Sequence, residues 1–348
     1  MQIGIDSFVE TTLDPLKPRA HTEAERVRDL LEEIELADQL GLDVFGIGEH
    51  HRKEFVASAP AVLLAAAATR TKQIRLTSAV TVLSSDDPVR VFQQFATLDL
   101  VSQGRAEIIV GRGSFIESYP LFGFDLNDYD SLFAEKLDLL LKIREATQVH
   151  WSGKHRAALT GQSVYPRPVQ NPLPIRIGVG GTPHSFARAG ALGIPLVVAI
   201  IGGEPRRFRP LIDLYREAGW RAGHPPEALS VSIHSIGFLA DTTAQAANEF
   251  YPSYAQLFNR IGKERGWPPI TRTQFDAARG STGALLVGDP DSIAEKVLSE
   301  NEALGGISRM TILLNGGMIP HAKTMHAIEL LGTRVAPIVK KELVAVTA

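Results

Sequence analysis

Three short segments carry residue types that handle protons or anions. Gly48–Glu49–His50–His51 sets a carboxylate beside two imidazoles, a grouping able to hold or transfer a proton. Adjacent histidines cannot both point one way from an extended segment, so one is expected to face a ligand while the other packs elsewhere. The pair lacks the i, i+4 spacing of a helical zinc site, and no metal is expected. Gly111–Arg112–Gly113–Ser114 places a guanidinium between glycines, where backbone can approach a ligand and the fork can clasp an anion. An ordinary tight turn with a surface arginine is the competing reading. Gly178–Val179–Gly180–Gly181–Thr182–Pro183–His184–Ser185 runs glycines and hydroxyls into a helix start, a natural cradle for phosphate. Thr182 or Ser185 serves equally well as a plain N-cap. The spacing is not GxGxxG, so a Rossmann dinucleotide site is not read here.

All three segments close short apolar runs, and the chain alternates such runs with amphipathic stretches. The runs are Gln2–Asp6, Asp43–Gly48, Arg75–Val82, Ala106–Gly111, Pro174–Val179, Pro195–Ile200, Ser230–Leu239 and Arg309–Leu314. Helical patterns cover Glu23–Leu40, Ala59–Thr69, Pro88–Val101 and Leu132–Thr147, with Asp86–Asp87–Pro88 marking a helix start. About eight such repeats without a linker between halves predict a single (β/α)8 TIM-barrel domain over residues 1–348. A doubly wound open sheet is the alternative, since periodicity does not show closure. In a barrel the active site lies at the C-terminal strand ends, where the three segments fall. A plain barrel needs ~250 residues, which leaves insertions at approximately 151–173 and 266–283. The first reads as a long polar connection, the second as an ordered or mobile loop.

Composition narrows the class. The 348 residues include 36 Lys+Arg against 39 Asp+Glu, a net charge of −3, with 44% hydrophobic and 22% charged residues. That mix describes a folded globular chain and excludes a disordered or fibrous one. Without a long basic run, no nucleic-acid partner is expected. Arg206–Arg207–Phe208–Arg209 reads as a solvated helix face. Zero cysteines exclude disulfides, thiolate catalysis and Cys-ligated metals. Asp6 comes too early for a secretory apolar region, and no run reaches the ~20 residues of a membrane span. A cytoplasmic protein without membrane contact is expected. Ala57–Ala68 is apolar over much of its circumference, which suits packing against a partner helix or burial under the chain's own insertions.

Taken in order, Phe45–His51, Leu98–Arg105, Gly111–Gly113, Gly178–Ser185 with Gly193–Ile194–Pro195, Val287–Pro290 and Ile328–Gly332 resemble the bacterial luciferase-like flavin monooxygenase superfamily. The resemblance implies a barrel holding FMN across its mouth, within a homodimer joined through the helices after the second and third strands. It implies a catalytic role for His50 beside Glu49. It also implies a cofactor-binding role for Ala79 and Val80, which pack against the flavin ring at a place where members often have a cis peptide. Arg112, Gly113, Gly180, Gly181, Thr182 and Ser185 match the phosphate-binding region. Where members commonly place a second arginine, this chain has Asp130–Ser131–Leu132–Phe133–Ala134–Glu135, and Gly181 stands where luciferase has a glutamate. Weaker flavin binding follows, with reduced flavin drawn from solution, possible supply by a separate reductase included. The loop 266–283 matches the mobile active-site loop of luciferase, with Trp267, Ile270 and Phe275 covering the pocket and Arg272 or Arg279 reaching an anion. The resulting expectation is a monooxygenase using reduced FMN and dioxygen on a small organic molecule. A 5-deazaflavin-dependent oxidoreductase and a non-catalytic flavin-binding barrel are the alternatives. A metal-dependent barrel hydrolase is disfavoured because no His-x-His closes the first strand.

Overall fold

The structure, a computed structural model, describes residues 1–11, 21–314 and 317–347. Eight parallel strands pair in chain order: β1 (Gln2–Ser7), β2 (Val44–Ile47), β3 (Arg75–Ser78), β4 (Ala106–Gly111), β5 (Ile175–Val179), β6 (Leu196–Ile200), β7 (Val231–Leu239) and β8 (Arg309–Leu313). β8 returns to β1 with Gln2 opposite Arg309 and Asp6 opposite Leu313, so the sheet closes into a barrel. The closure removes the open-sheet alternative.

Helices α1 (Glu23–Gln39), α2 (Pro60–Ala68), α3 (Pro88–Ser102), α4 (Tyr129–Glu145), α5 (Pro183–Ala191), α6 (Arg209–Arg221) and α7 (Thr243–Arg265) follow the first seven strands in turn. Next come α8 (Arg272–Ala278) and α9 (Pro290–Ala303) before β8, then α10 (His321–Leu330) and α11 (Ala336–Thr347) after it. Their starts are written locally. Thr22 and Glu25 form a capping box at α1, and Asp87 Oδ1 accepts from the Val89 and Arg90 amides ahead of Pro88 at α3. Apolar side chains such as Ile34, Phe92, Leu140, Phe186 and Val297 fill the layer between helices and sheet. No helix among the described residues is long and apolar enough to cross a membrane.

The inside of the barrel is polar at its base. Arg309 donates to Gln2 Oε1 at 2.9 Å and forms a forked pair with Glu107, while Arg176 donates to Glu107 at 3.0 Å and to Ser232 at 3.2 Å. Burial alone raises the affinity of Glu107 for a proton, but Arg309 and Arg176 outweigh it and hold the carboxyl at about 2.

Two local expectations are corrected, and a third gains detail. Arg75–Val82 is not one strand: β3 stops at Ser78, the Ala79–Val80 peptide is cis, and Thr81–Val82 resumes pairing with β4. The first insertion is a connection after α4 that carries a short strand, Leu159–Ser163, antiparallel to Gln148–Trp151. In the second, α8 begins with a Thr271–Gln274 capping box and buries Phe275 against Phe250, Tyr251 and Tyr254. Phe275 therefore belongs to the core and does not cover a pocket. Arg272 and Arg279 both pair with Asp276 of the same segment, at 3.0 and 2.7 Å.

Candidate active site

The two histidines after β2 do part company, as their adjacency requires, but Glu49 chooses the second. Glu49 Oε1 lies 2.8 Å from His51 Nε2, and Oε2 accepts the Val82 amide at 2.9 Å. The carboxylate thus ties the end of β2 to the segment after the cis peptide. The His50 ring is enclosed by Phe8, Phe55 and Phe115, with centroids 4.5, 4.4 and 5.4 Å away. Burial among these rings, reinforced by the nearby charges of His51 and Arg52, pushes the imidazole down to about 3. His50 is therefore a neutral hydrogen-bonding group at neutral pH.

Around this cage the mouth is clasped by Arg52. Its guanidinium donates to Glu117 at 2.6 Å, Glu264 at 2.5 Å and Glu54 at 3.3 Å, and lies 4.8 Å over Phe115. The contacts join the loops after β2 and β4 to the C-terminal end of α7. Beside the clasp is a cavity of about 560 Å³ lined by Glu10, Arg52, Glu54, Arg260 and Glu264. Burial raises the Glu10 carboxyl to about 7.

A second polar group at the mouth had no sequence signal. Asp6, at the end of β1, is 2% exposed, and its Oδ2 accepts from His234 Nδ1 at 2.6 Å and from the Thr311 hydroxyl. Gly46 makes room for it, since a Cβ there would lie 2.1 Å from Asp6 Oδ1. His234 also stacks on Phe8, with centroids 5.8 Å apart and planes 17° from parallel.

The third group lies at the ends of β4 and β5. Val80 is seated between Gly111 and Gly178, where added Cβ atoms would come within 2.7 and 2.8 Å of its methyls. Arg112 Nη2 donates to Ser185 Oγ at 3.2 Å, Nη1 pairs with Asp130, and the guanidinium lies 4.9 Å over Tyr129. Gly113 adopts φ +75°, and its carbonyl accepts from the Tyr129 hydroxyl at 3.3 Å. Thr182 is the N-cap residue of α5, yet its side chain makes no capping bond. A Cβ on Gly180 would meet nothing within 4 Å, and one on Gly181 only Phe208 at 4.0 Å. Open space thus faces the helix start. Arg188, one turn into α5, was not singled out from sequence. Its Nη2 lies 3.3 Å from His184 Nδ1, and burial followed by the Arg112 charge makes its guanidinium easier to deprotonate.

Barrel closure, with polar groups and a helix start facing open space at the C-terminal strand ends, defines an enzyme of the (β/α)8-barrel class. The chain belongs to the luciferase-like monooxygenase family, whose model matches residues 8–306, and it is an oxidoreductase of that family. It is 27% identical over 318 residues to 4-hydroxyprotoasukamycin monooxygenase of Streptomyces nodosus subsp. asukaensis, covering 86% of this chain and 84% of that one. Among solved structures it is similar to the oxygenating constituent of 3,6-diketocamphane monooxygenase from Pseudomonas putida, in complex with FMN, at a TM-score of 0.78 and 20% identity. That match covers 97% of this chain and 98% of the other. An F420-dependent secondary alcohol dehydrogenase, in complex with an F420–acetone adduct, is similar at a TM-score of 0.76 and 17% identity, with 97% and 98% coverage.

Proposed function

We propose that the protein is a monooxygenase that uses reduced FMN and dioxygen on a small organic substrate. The observation that carries this reading is the Arg112–Ser185 contact at the start of α5, beside the open space at Gly180 and Gly181 and close to Val80, which is seated between Gly111 and Gly178. Arg112, Thr182 and Ser185, with the backbone of Gly113, Gly180 and Gly181, would hold the phosphate. Ala79 and Val80 would support the ring. When bound, reduced FMN supplies the two electrons that activate dioxygen. The phenyl rings of Phe8, Phe55 and Phe115 keep water from the reacting region, which protects oxygen chemistry from wasteful breakdown. His50, neutral in that cage, offers a hydrogen bond without a charge, and Glu49 acts through His51 and the Val82 amide to fix the wall around it.

Asp130 already engages Arg112, so FMN is expected to bind as an exchangeable co-substrate, delivered reduced by a separate flavin reductase. Val62, Leu100 and Val101 are 66%, 45% and 45% exposed on α2 and α3, which pack against one another. These helices would form the interface of a homodimer. A second reading, 5-deazaflavin-dependent hydride transfer, is supported by the likeness to the F420 enzyme. Titrating the protein with FMN, reduced FMN and a 5-deazaflavin tests the choice. Tighter binding of reduced FMN than of the deazaflavin is the expected result. Binding of the deazaflavin alone selects the second reading, and flavin binding without any flavin-dependent oxygen consumption selects a non-catalytic barrel.

A further inference from the structure

Asp6, His234 and Thr311 come from β1, β7 and β8, and Asp6 and His234 stand 228 residues apart in the chain. A carboxylate oxygen only accepts, so the 2.6 Å contact requires His234 to donate from Nδ1. The Thr311 hydroxyl donates to the same oxygen, which fixes the carboxylate from a second side. That leaves Nε2 as the lone-pair nitrogen. Nε2 has no hydrogen-bond partner among the described residues, and the side chain keeps 9% exposure. The ring stacks with Phe8, which also meets the His50 and Phe55 rings. His234, like His51 with Glu49, has a carboxylate to balance an added proton. His234 stacks on Phe8 of the His50 cage while His51 packs edge-on to Phe122, and His50 itself sits among phenyl rings that oppose a proton.

We propose that His234 is the proton-transferring group of the site and that Asp6 is its positioning residue, with His50 confined to neutral hydrogen bonding. The inference rests on the reading that a flavin-type ligand occupies the mouth. The step is a proton transfer only: the Nε2 lone pair would take a proton from a bound ligand, Asp6 balances the resulting imidazolium, and the N–H bond breaks again as the proton is returned to the ligand. The Nε2 lone pair alternates between free and N–H bonding, while no bond between heavy atoms of the protein and no oxidation state of the protein changes. Toward the base of the barrel, two residues before Thr311 on β8, Arg309 pairs with Glu107, which also holds Arg176. His50 approaches from β2 through Phe8.

Nitrogen-15 NMR of the histidine-labelled full chain reads the tautomer directly. The wild-type protein is expected to hold His234 protonated at Nδ1, and added FMN is expected to shift its Nε2 signal. Asp6→Asn, which offers an amide in place of a carboxylate, should move the proton to Nε2. Reoxidation of bound reduced FMN by dioxygen (FMNH⁻ + O2 + H⁺ giving FMN and H2O2) should slow at least ~10-fold in Asp6→Asn and in His234→Gln, with the double variant no slower than either, as for residues acting as one unit. FMN affinity should change less than ~2-fold, a split between binding and chemistry. An Nε2-protonated His234 in the wild type overturns the proposal even if Asp6→Asn fails to fold. Additive rate losses, or rates unchanged in both variants, also overturn it. Failure of FMN to bind or to shift any mouth signal defeats the functional reading instead, and leaves the tautomer measurement to stand alone.

Discussion

Arg112 faces two partners at once, donating to Ser185 Oγ from one nitrogen and pairing with Asp130 through the other. Ser185 belongs to the helix start that would hold a phosphate. Asp130 is 76% exposed and carries the same sign of charge as that phosphate. The cradle therefore contains its own competitor for the arginine.

Replacing Asp130 with Asn should tighten FMN by ~3- to 10-fold, because an exposed ion pair is worth up to ~1 kcal/mol and a like-charge contact is relieved besides. Riboflavin, which lacks the phosphate, should bind the variant and the wild type alike. Arg112→Ala should weaken FMN while sparing riboflavin. Fluorescence titration with both ligands checks this, and parallel changes for the two would show that Arg112 and Asp130 are only structural.

Glu107 anchors two buried guanidiniums, so Glu107→Gln should lower stability by ~3–5 kcal/mol, the cost of leaving a buried charge unpaired. The carboxyl sits at about 2 when folded against an ordinary 4.5. Its folded-state pKa is depressed, so its contribution is fully present above pH 4.5 and is lost as pH falls toward 2. Thermal unfolding of wild type and variant between pH 7 and 3 should show the gap narrowing in acid. A constant gap would count against the pairing.

Phe275 behaves as a core residue at 0% exposure, although it lies in an insertion that resembles a mobile loop in sequence. Phe275→Ala should cost ~3–5 kcal/mol in chemical denaturation, the usual range for emptying such a site. A loss of turnover with unchanged stability would restore a covering role for the segment. Lys296 supports the static placement, donating to the Gly280 carbonyl at 2.8 Å and to the Leu285 carbonyl at 2.7 Å.

Charge placed on α2 and α3 should separate subunits. Val62→Glu with Leu100→Glu is expected to shift the mass in light scattering at micromolar concentration from dimer to monomer without lowering the unfolding temperature by more than a few degrees, since both side chains are exposed in the single chain. A monomeric wild type would remove the dimer.

Local chemistry was legible from the sequence because it acts over a few residues. Strand and helix succession follows from apolar spacing, and Asp87–Pro88 starts α3 through a side chain reaching the next turn. The helix start at Thr182–Ser185 and the arginine between glycines at 112 could be placed at strand ends on the same grounds. What lies opposite what was decided only by closure. Strands buried on both faces read as continuous apolar runs, so their sequence does not say which residues point inward or which strands meet across the barrel. Glu107, Arg176 and Arg309 look like isolated charges until three strands bring them to one level. Glu49 could have served either histidine, and the geometry of the β2 end gave it His51. Asp6 and His234 meet because β8 lies between β1 and β7, with Thr311 opposite His234 and its hydroxyl reaching Asp6, a condition that exists only once the sheet has closed.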